Sequence, residues 1–392
     1  MVDVLIIGGG LTGVALALAL SEQKYTVLLV ESNNFDHNDS SKINTDSRTI
    51  ALAPASIKIL KQLKLWNLFV NDANPIHSIH VSRSQTFGAT RLHGKANDPL
   101  GYLIDIQLIN QKLYSVLPQH QILSPAKLIS LDLVSQSAVI QTQATEVKIQ
   151  AQLIVAADGT NSNVRQLLNL PVKIKSYNQH ALITKIELNR PHKNWAYERF
   201  IANGLLAMLP LKNEHAALIW CSQSQTATAL QMLNEFEFLR KLQHTFGYRL
   251  GAFVGAGTRM LFPLQQVIMP TTAHWPCVFI GNAAHTLHPI AGQGFNLGLR
   301  DVATLAQCMV AYGLDQSMLN KYQTMRRHDQ RAIALLTDHL IRAFGGSTPC
   351  LKLLRSLAFI AADNLECLQA IVARYARGYA GITSDLICGI DL

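Results

Sequence analysis

Val2-Asp3-Val4-Leu5-Ile6-Ile7-Gly8-Gly9-Gly10-Leu11-Thr12-Gly13 opens the chain, an apolar run that turns into G-x-G-x-x-G over residues 8–13. Val2 to Ile7 reads as a short buried strand, Val14 to Leu20 as a helix, and Val27-Leu28-Leu29-Val30 as a second buried strand ending at Glu31. In such a βαβ unit Gly8 makes the tight turn, Gly10 lets the backbone approach a pyrophosphate, and Gly13 lets helix and strand pack closely. Leu11 and Thr12 lie where a helix N-terminus would face the phosphate charge. Glu31 stands about 20 residues beyond the turn, where a carboxylate accepts the ribose hydroxyls. A lone G-x-G-x-x-G is a weak signal. With both strands, the helix and the acid in place it reads as a dinucleotide-binding unit, because an ordinary glycine turn leaves Glu31 unexplained.

Working outward, Ile57, Leu60 and Leu63 repeat at helical spacing, as do Ile106, Ile109, Leu113 and Val116. Between these two patterns, and again from about 176 to 265, the text turns to strands. Leu182, Thr184, Ile186 and Leu188 alternate with Ala181, Ile183, Lys185 and Glu187, and Ala216 to Cys221 and Arg259 to Met269 read as extended. After residue 290 the chain is helical. Val302, Leu305, Ala306 and Met309 share one face, as do Ile333, Leu336, Leu340 and Phe344, until Gly345-Gly346 breaks the pattern. A last helical segment carries Leu365, Leu368, Val372 and Tyr375 with Arg355, Arg374 and Arg377, a basic amphipathic pattern that suits self-packing or a membrane surface.

A chain of 392 residues can bury a large core in two lobes. Hydrophobic residues at 49% and charged residues at 15% are the balance of a soluble globular protein. No run of about 18 uncharged apolar residues supports a membrane span, and a cytoplasmic protein is expected, with a peripheral contact to the inner face of the membrane left open. The formal charge of +9 is spread without a dense basic run or an RNA-binding motif, so nucleic acid is not an expected partner. Cys221, Cys277, Cys308, Cys350, Cys367 and Cys388 have neither zinc spacing nor disulfide density and are expected to be buried or half-buried free thiols. His285-x-x-His288 has no flanking Cys or acid at a usual ligand spacing, so no metal is expected there. His37, His77 and His80 read as surface or loop residues.

Two later segments choose the cofactor. Leu153-Ile154-Val155-Ala156-Ala157 runs into Asp158-Gly159-Thr160-Asn161-Ser162-Asn163-Val164-Arg165, and Cys277-Val278-Phe279-Ile280 runs into Gly281-Asn282-Ala283-Ala284-His285 and then His288-Pro289-Ile290-Ala291-Gly292-Gln293-Gly294-Phe295-Asn296. Here the chain resembles the flavoprotein aromatic hydroxylases of the para-hydroxybenzoate hydroxylase class, and within them the ubiquinone-biosynthesis hydroxylases. The resemblance runs from Val2 to about Phe344. D-G-x-x-S-x-V-R at 158–165 and H-P-x-A-G-Q-G-F-N-L-G-x-R-D at 288–301 match residue by residue, and Asp46-Ser47-Arg48-Thr49-Ile50-Ala51-Leu52 matches the flavin-proximal arginine segment. Gly281-Asn282 departs from the usual Gly-Asp. Asn282 keeps an acceptor for the ribityl hydroxyls but loses the charge. That departure, with Tyr197-Glu198-Arg199-Phe200 and Leu206-Ala207-Met208-Leu209-Pro210, resembles the branch acting on 2-polyprenyl-6-methoxyphenol.

The resemblance implies an α/β fold, with a Rossmann-like FAD-binding domain (1–75, 101–175 and 266–345), an inserted β-sheet substrate domain (76–100 and 176–265) and a C-terminal helical segment (346–392). It implies an FAD-dependent monooxygenase that uses NADPH or NADH and O2 to hydroxylate a prenylated phenol, by way of a flavin C4a-hydroperoxide, in company with other ubiquinone-biosynthesis proteins. FAD would be held by Gly8, Gly10, Leu11, Thr12, Gly13, Glu31, Arg48, Gln107, Asp158, Gly159, Gly281, Asn282, Gly292, Gly294, Phe295 and Asn296. Arg48 and Pro289 are the candidate catalytic residues. The backbone N–H groups of Ala291 to Asn296 are expected to face the flavin edge where negative charge develops on reduction. Leu206, Met208 and Leu209 are candidates for lining an apolar pocket. Open alternatives are another ring position or aromatic substrate, a flavoprotein reductase, and a non-catalytic member of a quinone-synthesis assembly.

Overall fold

Val4, Leu5 and Ile6 are wholly buried, and the strand that carries them is the axis of the first sheet. The computed structural model describes residues 1–34, 48–84, 86–202 and 204–345, and beyond them 356, 360–365, 368–370, 373–374, 377–379 and 384–390. The chain runs β1 (Val2–Ile7), α1 (Leu11–Ser21), β2 (Val27–Val30), β3 (Thr49–Leu52), α2 (Pro54–Gln62), β4 (Asn74–Ile76), β5 (Ser78–Arg83), β6 (Ala89–His93), β7 (Gly101–Asp105), α3 (Ile106–Val116), β8 (Ile122–Leu123), β9 (Ala126–Asp132), β10 (Ser137–Thr142) and β11 (Glu146–Ala156). It continues with α4 (Asn163–Leu167), β12 (Lys173–Leu188), β13 (Trp195–Ile201), β14 (Gly204–Pro210), β15 (His215–Gln223), α5 (Ser224–Met232), α6 (Glu235–Phe246), β16 (Phe253–Ala256) and β17 (Met260–Ile268). Last come β18 (Ala273–His274), β19 (Cys277–Phe279), β20 (His285–Thr286), α7 (Gln293–Tyr312), α8 (Gln316–Gly345) and α9 (Asp385–Cys388).

Strands β19, β11, β1, β2 and β8 lie side by side and all parallel. The apolar runs of β19, β11, β1 and β2 are buried on both faces, as a parallel sheet covered by helices demands, while the short edge strand β8 is half-buried. The order reverses at β1, which has β2 on one side and β11 on the other. The crevice beyond the C-terminal ends of these strands is where an open α/β sheet receives a ligand. α1 starts at Leu11, three residues before the pattern of Val14 to Leu20, because Gly10 serves as its extended N-cap. Its Ala and Leu residues bury nearly all round against the sheet and α7.

The second sheet draws β5 and β6 from before residue 100 and β12 to β17 and β20 from after 172, in the order β20-β17-β12-β15-β14-β13-β5-β6 with β16 on β12. Among the described residues of this sheet, only β13 and β5 pair in parallel. Strand alternation gives this sheet two unlike faces. One packs Leu182, Ile186, Leu206, Met208, Leu218 and Trp220 under α5 and α6. The other turns Ala181, Phe200, Leu205 and Cys221 toward Ile290 and α8. This corrects the pocket-lining candidates. Leu206 and Met208 are core residues beneath α6, while Leu209 packs with Ile76, Leu92 and Leu100.

His80 is also not a loop residue. It is buried on β5 against Tyr197, and burial, with Arg249 and Arg91, lowers its imidazole to about 4. His77 is half-buried beside β5, and His37 lies outside the described residues. Cys221, Cys277 and Cys308 are buried free thiols, Cys388 is exposed, and Cys350 and Cys367 lie outside the described residues. Most of the basic C-terminal segment, including Arg355, Val372 and Tyr375, lies outside them too. Among the described residues no helix is long and apolar enough to cross a membrane, and no group of three His, Cys, Asp or Glu could hold a metal.

Candidate active site

The glycines of the first loop divide by what surrounds them. Gly8 adopts φ +110° and its N–H donates to Val30 O at 2.8 Å, which ties the turn to β2. A Cβ on Gly13 would collide with the Gly8 carbonyl oxygen, so the close helix–strand approach admits only glycine. A Cβ on Gly10 would meet nothing. The space beside Gly10 is open, as a site for a pyrophosphate requires. Gly159 (φ +81°) and Gly294 face open space in the same way.

Glu31 Oε2 accepts the Gly9 N–H at 2.7 Å, and Oε1 accepts from Asn33 N–H and Nδ2 at 2.8 Å and Ser32 Oγ at 3.1 Å. The carboxylate therefore braces the glycine loop as well as facing the crevice end of β2. Tyr114, buried on α3, donates its hydroxyl to Gly9 O, and burial beside Glu31 raises its pKa. Sequence reading passed over this residue because a tyrosine in an amphipathic helix carries no separate signal. Asp158 Oδ2 accepts the Val164 N–H at 3.0 Å, whereas Oδ1 is buried with no hydrogen-bond partner. Burial raises the Asp158 pKa against the opposing Ser162 hydroxyl and Val164 N–H. An orphan carboxylate oxygen beside Gly8 awaits a donor such as a ligand hydroxyl or water. These features fit a dinucleotide whose phosphates lie against Gly10 and the start of α1.

On the far side of the crevice, Asn282 is exposed and Gly281 takes φ +57° against Thr12. Beneath them lies a buried ionic cluster. Asp301 accepts four hydrogen bonds, from Gly281 N–H (3.0 Å), His285 Nε2 (2.5 Å), Arg326 Nε (2.7 Å) and Gln330 Nε2 (2.9 Å). Asp329 accepts from Arg326 Nη1 (2.6 Å) and Arg300 Nη1 (2.9 Å). Burial would raise the Asp301 carboxyl, but His285 and Arg326 outweigh it and hold it well below the usual carboxylate range. Burial lowers Arg300 to about 10, with Asp329 opposing. His285 thus belongs to a structural network, as do Arg300 and Asp301 of the long motif. Arg326, Asp329 and Gln330 were not legible as partners, because their charges look like the polar face of an ordinary helix.

α7 begins at Gln293 after Gly292 in left-handed conformation (φ +60°), and its first-turn N–H groups have no partners within the helix. Asn296 clamps this corner. Its Nδ2 donates to Ala51 O and Gly292 O at 2.8 Å, and its Oδ1 accepts from Ala53 N–H (2.8 Å) and Ser56 Oγ (2.7 Å). All four side-chain bonds of Asn296 are therefore spent on protein, and it acts on the loop's shape. Phe295 is half-buried against the first core. Arg48 is exposed with its guanidinium 4.9 Å from the Phe262 ring, which links β17 to the strand entering β3. Gln107 is half-buried in the first turn of α3, where its N–H donates to Asp105 Oδ1 at 2.9 Å.

Between the second sheet and the His288–Gly292 loop lies a cavity of about 520 Å3. Phe200, Leu205, Ile290 and Ile341 form its apolar wall, and Tyr177, Gln179, Gln223, Ser224 and His288 its polar one. Half-buried Pro289 sits in the loop between His288 and Ile290.

The FAD binding domain family matches residues 1–336. Ubiquinone hydroxylase UbiL of Rhodospirillum rubrum is 33% identical over 96% of this chain and 89% of its own length. The 3-demethoxyubiquinol 3-hydroxylase of Escherichia coli K12 is 29% identical over 96% of this chain and 98% of its own. The crystal structure of p-nitrophenol 4-monooxygenase PnpA from Pseudomonas putida superposes with a TM-score of 0.79 at 17% identity, covering 97% of this chain and 98% of that one, and so shares the fold. The glycine crevice, the two-faced second sheet and these likenesses converge, and the chain belongs to the FAD-binding flavoprotein monooxygenase family.

Proposed function

We propose that this chain hydroxylates a polyprenylated phenol in ubiquinone biosynthesis, with 2-polyprenyl-6-methoxyphenol as the substrate. The observation that carries this reading is the cavity of about 520 Å3, which is lined by both apolar and polar side chains beside the loop that opens α7. A phenolic head with a hydrocarbon tail combines the same two kinds of surface. The names of the similar hydroxylases support the pathway. In this proposal Gly8, Gly10, Leu11, Thr12 and Gly13 hold the FAD phosphates, Glu31 the adenosine ribose, and Asp158, Gly159, Gly281 and Asn282 the remaining polyol. Gln107 and Arg48 flank it. Bound FAD supplies electron transfer from NADH or NADPH and the activation of O2. The N–H groups at Gln293, Gly294 and Phe295 stabilise negative charge at the flavin edge. Phe200, Leu205, Ile290 and Ile341 exclude water from the cavity, and Pro289 fixes the loop beside the substrate. Association with other proteins of the pathway, and a peripheral membrane contact through the basic C-terminal segment, complete the reading.

The test is a mass profile of quinone lipids in an aerobically grown strain lacking the gene, rescued in parallel by wild type and by Gly10→Glu. A Cβ at Gly10 meets nothing within 4 Å, and a glutamate there puts a carboxylate where the pyrophosphate would lie. A prenyl-methoxyphenol that accumulates and is cleared by wild type but not by the variant supports the assigned position. A normal ubiquinone pool in the deletion strain, with no second enzyme covering the step, sinks the pathway. The similarity to a 3-demethoxyubiquinol 3-hydroxylase favours a second reading, hydroxylation at another ring position, which accumulation of a demethoxy quinol would mark.

A further inference from the structure

We propose that His288 is a neutral hydrogen-bond donor that recognises the phenolic oxygen of the substrate, a specificity-determining residue rather than the base that removes the phenol's proton. The inference rests on reading the inter-lobe cavity as the substrate site.

His288 is 2% exposed and lines the cavity beside Gln179 and Tyr177. Its Nδ1 accepts the Ile290 N–H at 3.3 Å. An imidazole nitrogen that accepts carries no hydrogen, so the ring hydrogen is on Nε2. The ring meets Tyr177 edge to face, with centroids 5.2 Å apart and planes at 83°, which fixes its orientation. Burial is the sole cause that brings the imidazole down to about 4, with no charged group contributing, so the ring is neutral at pH 7.

The direction of the lone pair decides the role. A base needs a bare nitrogen facing the substrate, but the bare nitrogen of His288 is turned to its own loop. Among the described residues the nitrogen with the hydrogen has Gln179 Oε1 as its partner, at 3.4 Å, and this bond, like the 3.3 Å one at Nδ1, is longer than the usual 2.7–3.2 Å. A buried donor so weakly engaged has capacity for a better acceptor. A phenol oxygen both accepts and donates, so it can take the Nε2–H and give its own O–H to Gln179 Oε1. A ring lacking the hydroxyl would leave the His288 donor with its long bond alone, and the site would discriminate against it.

The experiment measures the dissociation constants of two ligands on the purified flavin-loaded protein by equilibrium dialysis. One is 2-prenyl-6-methoxyphenol, and the other is the same molecule without the hydroxyl. Wild type should prefer the phenol about tenfold. His288→Phe should bring the ratio to within about twofold, and His288→Gln, which keeps an N–H at similar reach, should restore a preference of at least about threefold. Because both ligands are measured on the same preparation, a poorly folded fraction cancels from the ratio. An unchanged ratio in His288→Phe would overturn the proposal. So would a limb in the wild-type pH profile of kcat/KM between pH 5.5 and 8 that disappears in His288→Gln, since a base would produce it. Profiles with the same limbs support a donor. The ratio is independent of the lipid profile, so failure of the pathway reading would be seen in the cells and failure of this one in the dialysis.

Discussion

Two buried polar clusters flank the loop from Gly281 to Gly292, and they are built on opposite terms. Beneath Gly281, Asp301 has every acceptor position filled, by a backbone N–H, an imidazole, a guanidinium and an amide. At His288, as buried as Asp301's partners, the one outward donor makes a single long bond. A carboxylate filled in this way holds its surroundings in place, and although His285 Nδ1 in the same cluster is buried without a partner, no residue of that cluster lines the cavity. The His288 donor does line it and can take a ligand. Burial and polarity are common to both, and spare hydrogen-bonding capacity that opens on a cavity is what separates site from scaffold.

The largest effect should come from breaking the filled cluster. Arg326→Met strands Asp301 and Asp329 without their shared cation and should cost about 3–5 kcal/mol of stability. Denaturant titration would show the loss, and a fall in bound flavin per protein would show that the Gly281 loop depends on it. Next comes a matched pair of glycine variants. Gly13→Ala forces a methyl group against the Gly8 carbonyl and should cost about 3 kcal/mol. Gly10→Ala meets open space and should stay within about 0.5 kcal/mol of wild type while weakening FAD binding. Equal losses of stability in the two would erase the distinction between packing and ligand glycines.

A third effect sharpens the contrast through pH. His288 and His80 are lowered to about 4 in the folded protein, against about 6.5 when unfolded. Between those values the unfolded chain binds more protons, so their contribution is full above about pH 6.5 and is lost as pH falls toward 4. The loss should be on the order of 3 kcal/mol for each, and His288→Gln should flatten the slope of unfolding free energy over that window. Asp301 acts in a separate range. Its depressed carboxyl contributes fully above about pH 4 and is lost below that. The smallest effect sets the baseline. Glu22→Gln removes the exposed pair with Lys64, both more than two-thirds exposed, and should change stability by less than about 0.5 kcal/mol.

How far each part could be read from the sequence follows from how local its cause is. The βαβ unit was legible because Gly8, Gly10, Gly13 and Glu31 act within one short segment at fixed offsets. The strands of the second sheet were visible as alternation, but not which parity faces the cavity. Leu205 and Leu206 are equally apolar neighbours, and only the placement of α6 puts Leu206 in the core. Asn296 could be singled out from its motif, yet three of its four side-chain bonds reach back to residues 51–56, which no spacing reveals. The Asp301 network lies in the same category. Arg326 and Asp329 are one helical turn apart on α8 and read as a solvated pair until the helix docks on α7.

The strand order also governs when the protein can receive its cofactor. β1 emerges from the ribosome first, but its neighbour β11 follows well over a hundred residues later and β19 later still. The Gly281 loop is then held only after Arg326 and Gln330 have been made. Synthesis at about 5–20 residues per second leaves the glycine crevice an unfinished half for many seconds, with its apolar first strand unpaired on one side. Both walls of the flavin crevice therefore exist together only once Arg326 and Gln330 have been made, and until β11 arrives Val4, Leu5 and Ile6 lack the neighbour that buries them on that side.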